Sequence, residues 1–287
     1  MKRFCFIINP IAGAGKGVSI AALIQAQLKP KNIPYTIRFT EYAGQAQEII
    51  EEEKLRGYTV FVAVGGDGTV NEVASALVNT SLTLGIIPLG SGNGLARALH
   101  IPLSTQQAIN FVLNTSPIKM DVGQLNEYYF FCTAGIGFDA EVAKRFHEAP
   151  TRGLKTYLLA VLQAFKHYDK EFFYHDKVIK NGYVVSFCNA NQYGNNAFIS
   201  PSSVLNDGRL ELVVLQKGSW IQNLQLGLQL FNKNIHKNQL HEAHSFESLT
   251  IQRIQNGPLH IDGDYKKTIN NITIKVIPLA LQVVGKL

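Results

Sequence analysis

Residues Tyr58 to Val78 read YTVFVAVGGDGTVNEVASALV: an unbroken apolar run, a glycine turn carrying one aspartate, and a segment with apolar residues at helical spacing. Val60, Phe61, Val62, Ala63 and Val64 are mostly β-branched and uncharged, the pattern of a strand covered on both faces of a parallel sheet. Gly65 and Gly66 end it. Lacking a Cβ, they permit positive φ and let ligand oxygens approach backbone N–H groups. After Gly68, residues Val70, Val73, Ala74, Leu77 and Val78 recur at helical spacing, so the N–H groups of that helix's first turn point back at the glycines, where anions bind. Asp67 stands where a phosphate would sit. A carboxylate there repels anions unless a divalent cation or a proton in transfer intervenes, which points to Mg²⁺-dependent phosphate chemistry and makes Asp67 a catalytic candidate. Thr69 and Glu72 also match a T-x-x-E capping box, which would give that pair a structural role alone.

The plan recurs on both sides. Leu84 to Leu99, LGIIPLGSGNGLARAL, is again strand, glycine-spaced turn and helix, with Ser91 and Asn93 able to hydrogen-bond a nucleotide around Gly92. Phe4 to Ile8 reads as a strand, and Asn9 to Gly17, NPIAGAGKG, as a flexible phosphate-facing loop. This loop is not a Walker A motif, because Pro10 and Gly17 stand where that template needs glycine and a hydroxyl. One glycine-rich turn is common in α/β domains and weak evidence by itself; three within a hundred residues are stronger evidence for a nucleotide site.

The 287 residues, 46% of them hydrophobic, suffice for a full core and predict two domains. A net charge of +6 suits a nucleotide and an anionic membrane surface, and equally a solvated basic face. Cys5, Cys132 and Cys188 lie in apolar contexts without C-x-x-C spacing, which predicts buried reduced thiols and a cytoplasmic protein. The N-terminal apolar run, Phe4 to Ile8, is too short for a signal peptide. No segment approaches the roughly 20 apolar residues of a spanning helix. None of the eight histidines has metal-ligand spacing.

Up to about residue 120, strand and helix patterns alternate, as in a doubly wound α/β sheet. From about 121 to 277 strand patterns dominate, and Ile272, Ile274 and Val276 alternate with polar residues as in a half-exposed antiparallel strand. The reading is an α/β N-terminal domain followed by a mostly antiparallel β-sandwich, with the tail from about 278 to 287 free to return to the first domain. Leu154, Tyr157, Leu158, Val161, Leu162 and Phe165 form a helical stripe expected to pack against the sheet, with lipid contact as the alternative. Trp220 to Phe231 fits helix and strand periodicities alike.

Taken in order, NPIAGAGKG, TEYAGQA (Thr40 to Ala46), GGDGTVNEV, PLGSGNGLAR, GIGFDAEV (Gly135 to Val142), LNDGRLEL (Leu205 to Leu212) and IDGD (Ile261 to Asp264) make the chain resemble the diacylglycerol-kinase catalytic-domain superfamily, with its bacterial lipid kinases and its sphingosine and ceramide kinases. The resemblance runs nearly end to end. It implies a first domain like that of NAD kinases and phosphofructokinases, and a helix at Trp220 to Phe231. It implies ATP as phosphate donor, with Mg²⁺, contacted by Asn9, Pro10, Ala12 and Gly13 in the first loop and by Thr40. In the second loop the implied contacts are Gly65, Gly66, Asp67, Gly68, Thr69, Asn71 and Glu72, and in the third Ser91, Gly92 and Asn93.

By the same resemblance Asp262 is the expected general base, and Asp264, a shortened form of the family's usual glutamate, orients a water or cation. A plain β-turn is the structural alternative for this D-G-D segment. Asp207, with the carbonyls of Val204 and Arg209, is the implied structural Mg²⁺ site, and Asp139 and Glu141 are implied to meet the lipid headgroup. Gly94 departs from the aspartate of many bacterial members, and the SGN form is closer to the sphingosine-kinase branch. The expected function is phosphorylation of a membrane lipid alcohol, diacylglycerol or a relative. Three alternatives stay open: a sphingosine- or ceramide-type kinase, an NAD kinase-like enzyme, and a nucleotide-binding protein without turnover. The expected partners are a nucleotide and a lipid at the inner membrane face, visited transiently; nucleic acid is not expected, and a homodimer stays open.

Overall fold

The structure is a computed structural model describing residues 2–15, 17–150, 154–168, 170–175, 178–267 and 270–287. Its chain forms two compact units, Met1–Met120 with Leu279–Leu287, and Asp121–Pro278.

The first unit contains, in order, β1 (Phe4–Ile8), α1 (Ala12–Gly15), α2 (Gly17–Leu28), β2 (Tyr35–Phe39), α3 (Gln45–Leu55), β3 (Val60–Gly65), α4 (Asp67–Leu77), β4 (Thr83–Pro88), α5 (Gly94–Ala98) and α6 (Thr105–Asn114). The strands are parallel in the order β2-β1-β3-β4, with Phe4 beside Tyr35 on one side and Val60 on the other. β1, β3 and β4 are buried along their whole length, because helices cover both faces: α3 packs with α4, and α2 with α6. The strand order reverses direction between β1 and β3. In such sheets the crevice outside the carboxyl ends at that point is where ligands bind.

The second unit is entered within β5 (Pro117–Leu125) and continues through β6 (Tyr128–Phe130), β7 (Thr133–Gly137), α7 (Phe138–Glu148), α8 (Leu154–His167), β8 (Glu171–His175), β9 (Val178–Gly182), β10 (Val184–Cys188) and β11 (Leu210–Leu215). There follow α9 (Trp220–Phe231), β12 (His241–Phe246), β13 (Ser248–Arg253), β14 (Leu259–Ile261), β15 (Asp264–Lys266) and β16 (Asn271–Val284). One sheet runs β12-β11-β10-β7-β14-β15, antiparallel at every pairing. The other layer places β16 beside β13, β13 beside β8, and β8 beside β9, with β5 paired to β16 and β6 to β5. Ile136, Phe187, Leu212 and Ile261 from the first layer meet Leu125, Phe173, Ile251, Ile272 and Ile274 from the second in one buried core. The end of β16 belongs to the first unit, where Gln282 pairs in parallel with Thr83.

The α/β-then-antiparallel architecture expected from periodicity is the one observed. Trp220–Phe231 is a helix, because Ser219 caps it through a reciprocal box with Gln222. The expectation for α8 needs correction: Leu162 and Phe165 are exposed, and Ala160 and Ala164 make the buried contact, beside Val142 of α7. Alanines let the two helices approach closely, which the larger residues would prevent. The Leu154, Tyr157 and Leu158 side chains lie outside the described residues. All three cysteines are buried free thiols, and burial, reinforced by Glu53, pushes Cys5 up to about 12.

Within the sandwich core Arg253 grips Glu171 by two bonds, Nε to Oε1 at 2.6 Å and Nη2 to Oε2 at 2.9 Å, with neither side chain above 8% exposed. Tyr168 donates its hydroxyl to the same carboxylate at 3.1 Å. Arg253→Met leaves Glu171 buried without its cation, so a urea titration should show a loss of about 3–5 kcal/mol.

Candidate active site

Three loops leave the carboxyl ends of β1, β3 and β4, and side chains tie them together. Asp67 begins α4, and its carboxylate reaches the third loop: Oδ2 accepts the Asn93 N–H at 2.9 Å and Oδ1 the Gly94 N–H at 2.8 Å. Asn9 bridges the first and second loops through Nδ2 to Thr69 Oγ1 at 3.4 Å, while its own Oδ1 accepts the Ile11 N–H. The glycines let these backbones touch. A Cβ on Gly90 would lie 2.8 Å from the Gly66 Cα and 2.9 Å from Asn93 Oδ1, and one on Gly92 would lie 2.9 Å from Asp67 Oδ2. Gly65 leaves room for the Thr69 side chain. Neither Gly65 nor Gly66 has positive φ, contrary to expectation; what these positions require is the absence of a side chain.

A pocket of about 430 Å³ lies against these loops, lined by Gly13, Gly90, Ser91, Asn93, Arg97 and Thr105 among others. Asn93 sits in the left-handed region at φ 51° and donates Nδ2 to the Gly90 carbonyl, and its Oδ1 is a buried acceptor without a protein donor. Arg97 Nε donates to the Gly92 carbonyl at 3.0 Å and brings a cation to the pocket wall. The sequence reading passed over Arg97, although it ends the PLGSGNGLAR segment.

Other expected contacts sit around this frame. Pro10 follows Asn9, Ala12 opens α1 with its N–H on the Asn9 carbonyl, and Gly13 lines the pocket. Thr40, at the end of β2, donates its N–H to the Ile8 carbonyl. Gly68 is exposed in the first turn of α4, and Asn71 accepts from Ser75 one turn later. The T-x-x-E box does not form. The helix starts at Asp67 with Gly66 as its cap, so Thr69 is already inside the first turn, and Glu72 accepts the Ala46 N–H at 2.9 Å, capping α3 instead.

The second unit carries a separate polar centre. Asp262 and Gly263 both have positive φ, 48° and 86°, and join β14 to β15 as a two-residue hairpin, the turn for which Asp-Gly is favoured. The Asp262 carboxylate folds back into a nest of consecutive amides: Oδ1 accepts from Cys132 at 2.8 Å and Thr133 at 3.1 Å, and Oδ2 from Phe131 at 3.0 Å. Three N–H donors fix the direction in which the carboxylate points. Asp264 is exposed at the start of β15.

Two residues upstream of Asp262, His260 is 2% exposed. Its Nε2 lies 3.0 Å from Asp139 Oδ2, and the Gly263 N–H approaches Nδ1 at 3.4 Å, so the ring donates to Asp139 and accepts from the hairpin. The same carboxylate oxygen accepts from Ser186 at 2.8 Å and Tyr193 at 3.1 Å. Burial first, then the Asp139 charge, holds the Tyr193 phenol well above its ordinary value, so it remains a donor. Gly135 has no side chain because a Cβ would lie 2.8 Å from both Asp139 Oδ2 and His260 Nε2. Asp139, expected at the headgroup, is thus the hub of a buried network. Glu141 faces Arg145 one turn along α7, with Oε1 at 2.7 Å from Nε in an ion pair rather than an aligned hydrogen bond. Ser186, Tyr193 and His260 were not singled out from the sequence; the signal for His260 was a polar residue between apolar neighbours in LHIDGD.

At the Asp207 loop, Oδ1 accepts the Arg209 N–H at 3.0 Å, and the neighbouring Gly208 N–H goes to Asp121 Oδ2 at 2.6 Å. Asp121 is fully buried and was also missed, though it is a carboxylate inside a strand pattern. Among the described residues no cluster of three or more His, Cys, Asp or Glu side chains could hold a metal. Val204, Asp207 and Arg209 are all exposed, and what this loop can offer is oxygen, from the Asp207 carboxylate and from backbone carbonyls. Oxygens are the donor type that hard divalent cations such as Mg²⁺ take.

Residues 3–125 match the model of the diacylglycerol kinase catalytic domain, and residues 132–285 match the YegS C-terminal NAD kinase beta sandwich-like domain. The chain belongs to this lipid-kinase family. It is 28% identical to a diacylglycerol kinase of Bacillus subtilis across 92% of this chain and 90% of the relative. A diacylglycerol kinase of Staphylococcus aureus is 27% identical, over 92% and 86%. Among solved structures, one of a diacylglycerol kinase from Bacillus anthracis superposes with a TM-score of 0.71 at 19% identity, over 99% of this chain and 97% of that one, which shows the shared fold.

The loop contacts make a stability test. Gly90→Ala must push the second and third loops apart and should cost about 1–3 kcal/mol in a denaturant titration. Gly227→Ala, where a new Cβ meets nothing within 4 Å in the interior of α9, should gain about 0.5–1 kcal/mol.

Proposed function

We propose that the protein is an ATP- and Mg²⁺-dependent lipid kinase that moves the γ-phosphate of ATP onto a hydroxyl of a membrane lipid, diacylglycerol or a related lipid alcohol. The observation that carries this reading is the frame of three loops at the carboxyl ends of β1, β3 and β4, held by Asp67 and bordered by a pocket with a buried acceptor and an arginine. Backbone N–H groups of the loops and the Arg97 guanidinium suit the phosphates, and Asn93 Oδ1 suits a donor on the nucleotide. Mg²⁺ bound with the nucleotide offsets charge on the β and γ oxygens.

In the transfer the acceptor oxygen bonds to the γ-phosphorus, the bond from phosphorus to the β–γ bridging oxygen breaks, ADP leaves, and the hydroxyl proton passes to a carboxylate. Phosphoryl transfer runs through a loose transition state in which that proton is lost late, so orientation matters more than base strength. The nest around Asp262 is consistent with this. It holds the carboxylate in one orientation, and in this reading Asp262 orients the hydroxyl and takes the proton at the end, with Asp264 as the second carboxylate of the same hairpin.

The test is to supply γ-labelled ATP and Mg²⁺ with micelles of diacylglycerol, ceramide or sphingosine, and in parallel with NAD. Label is expected in diacylglycerol. Label in a sphingoid lipid moves the acceptor to the other branch, label in NAD overturns the lipid reading, and ATP binding without label in any acceptor supports a protein without turnover. Asp262→Asn should lower kcat by about 10²–10⁴-fold while ATP affinity stays within about twofold. A thermal melt run beside it separates lost chemistry from a loosened hairpin. Unchanged kcat removes Asp262 from the reaction.

A further inference from the structure

α9 has two apolar faces, and the fold uses one of them. Leu226 and Leu230 pack against the cluster of Tyr183, Val184, Cys188, Val213 and Leu215 on the outer side of the six-stranded sheet. At about 100° per residue, Trp220, Ile221, Leu224, Leu228 and Phe231 fall within one arc of about 100° on another side. These five are 71, 70, 53, 61 and 57% exposed. Gln222, Gln225 and Gln229 occupy the sector that remains. An ordinary surface helix places its polar residues where this one places a tryptophan, a phenylalanine and three aliphatic side chains. The ridge runs the length of a helix of roughly 18 Å.

Charge says what covers it. Between Glu211 and Glu242 the chain has no acidic residue, while it has Lys217, Lys233, His236 and Lys237. Lys217 stands just before the Ser219 cap and Lys233 just after Phe231, and both residues are exposed although their ammonium groups also touch the protein, Lys217 at the Tyr168 carbonyl and Lys233 over the Phe198 ring, so positive charge lies at both ends of the helix. A second copy of this chain on the ridge would bring these lysines against their own kind. An anionic surface would be attracted by their summed charge, and an aromatic at the helix start with lysines at its flanks is the pattern of a helix lying in a bilayer interface. Among the described residues no helix is long and apolar enough to cross a membrane.

We infer that α9 docks the protein on a bilayer containing anionic phospholipids, its ridge entering the boundary between headgroups and acyl chains while the positive charge around both ends of the helix favours the anionic headgroups. This deepens the lipid-kinase reading and rests on it for the need to reach a bilayer; the ridge and its charge stand on their own. Trp220, Leu224 and Leu228 then govern how often the protein meets a bilayer, and leave the transfer step alone.

The experiment is co-sedimentation with phosphatidylcholine vesicles, plain or with about 30 mol% phosphatidylglycerol, comparing the wild type with Leu224→Gln/Leu228→Gln. Both positions are exposed, so the fold should survive, and a urea midpoint checks that. Expected are preferential binding to the anionic vesicles, a loss of at least about tenfold in partitioning for the variant, and weakening as salt rises from about 0.1 to 1 M. Transfer to a short-chain diacylglycerol dissolved as monomers should stay within about twofold in the variant, while transfer to diacylglycerol in vesicles falls with the partitioning. Equal vesicle binding by variant and wild type overturns the inference. So does a wild-type dimer that the variant abolishes with no vesicle binding by either. A wild type that phosphorylates no lipid yet binds anionic vesicles through α9 keeps the docking and defeats the kinase reading alone.

Discussion

The first unit is organised around one carboxylate. Asp67 accepts two consecutive N–H groups of the loop after β4, and this joins two turns that leave neighbouring strands of a parallel sheet. Without it, the helix start at α4 and the one at α5 would each present amide dipoles to the same space with nothing to set their spacing. The glycines follow from this contact. Gly66, Gly90 and Gly92 lack side chains where the two backbones and the Asp67 carboxylate come within touching distance. The carboxylate in this glycine turn therefore has a structural reason of its own, whatever chemistry the site performs.

The second unit repeats the principle with different parts. Asp262 turns its carboxylate onto three amides, and His260 connects the same hairpin to Asp139, which in turn collects the Ser186 and Tyr193 hydroxyls. Each polar group is satisfied, so the network can be buried without loss, and a satisfied buried network permits one geometry. The hairpin that carries Asp262 and Asp264 is therefore held from below by His260 and from the side by residues 131–133.

Much of the fold was legible because its signals are short-range. The run Val60 to Val64, the glycine turn and the helical spacing after it lie within twenty residues, and periodicity reads such segments directly. The same holds for the alternation in β16, where Ile272 and Ile274 are buried between exposed neighbours. α6 went unread because only Ala108, Ile109 and Val112 mark its buried face, and β12, HEAHSF, because an exposed strand at a sheet edge has no apolar pattern to show. The two faces of α9 explain its double periodicity: Leu226 and Leu230 answer to the protein, and Leu224 and Leu228 do not. In α8 the large residues looked like the core, and the alanines were the contact.

By itself the sequence determined the class of the protein: three strand–turn–helix units, a strand-rich second half, and a succession of motifs whose order is that of one family. These are properties of neighbouring residues, set by steric and periodic rules that act along the chain. Tertiary structure alone decided which groups each polar side chain answers to. The partners of Asp67 are 26 and 27 residues away, those of Asp262 from 129 to 131, and Asp139 and His260 are 121 apart. Hydrogen bonds depend on distance and direction in space, and no spacing along the chain encodes them across such separations. A carboxylate could therefore be recognised as a candidate from its motif, while its partners, burial and orientation became visible only once the chain had folded around it.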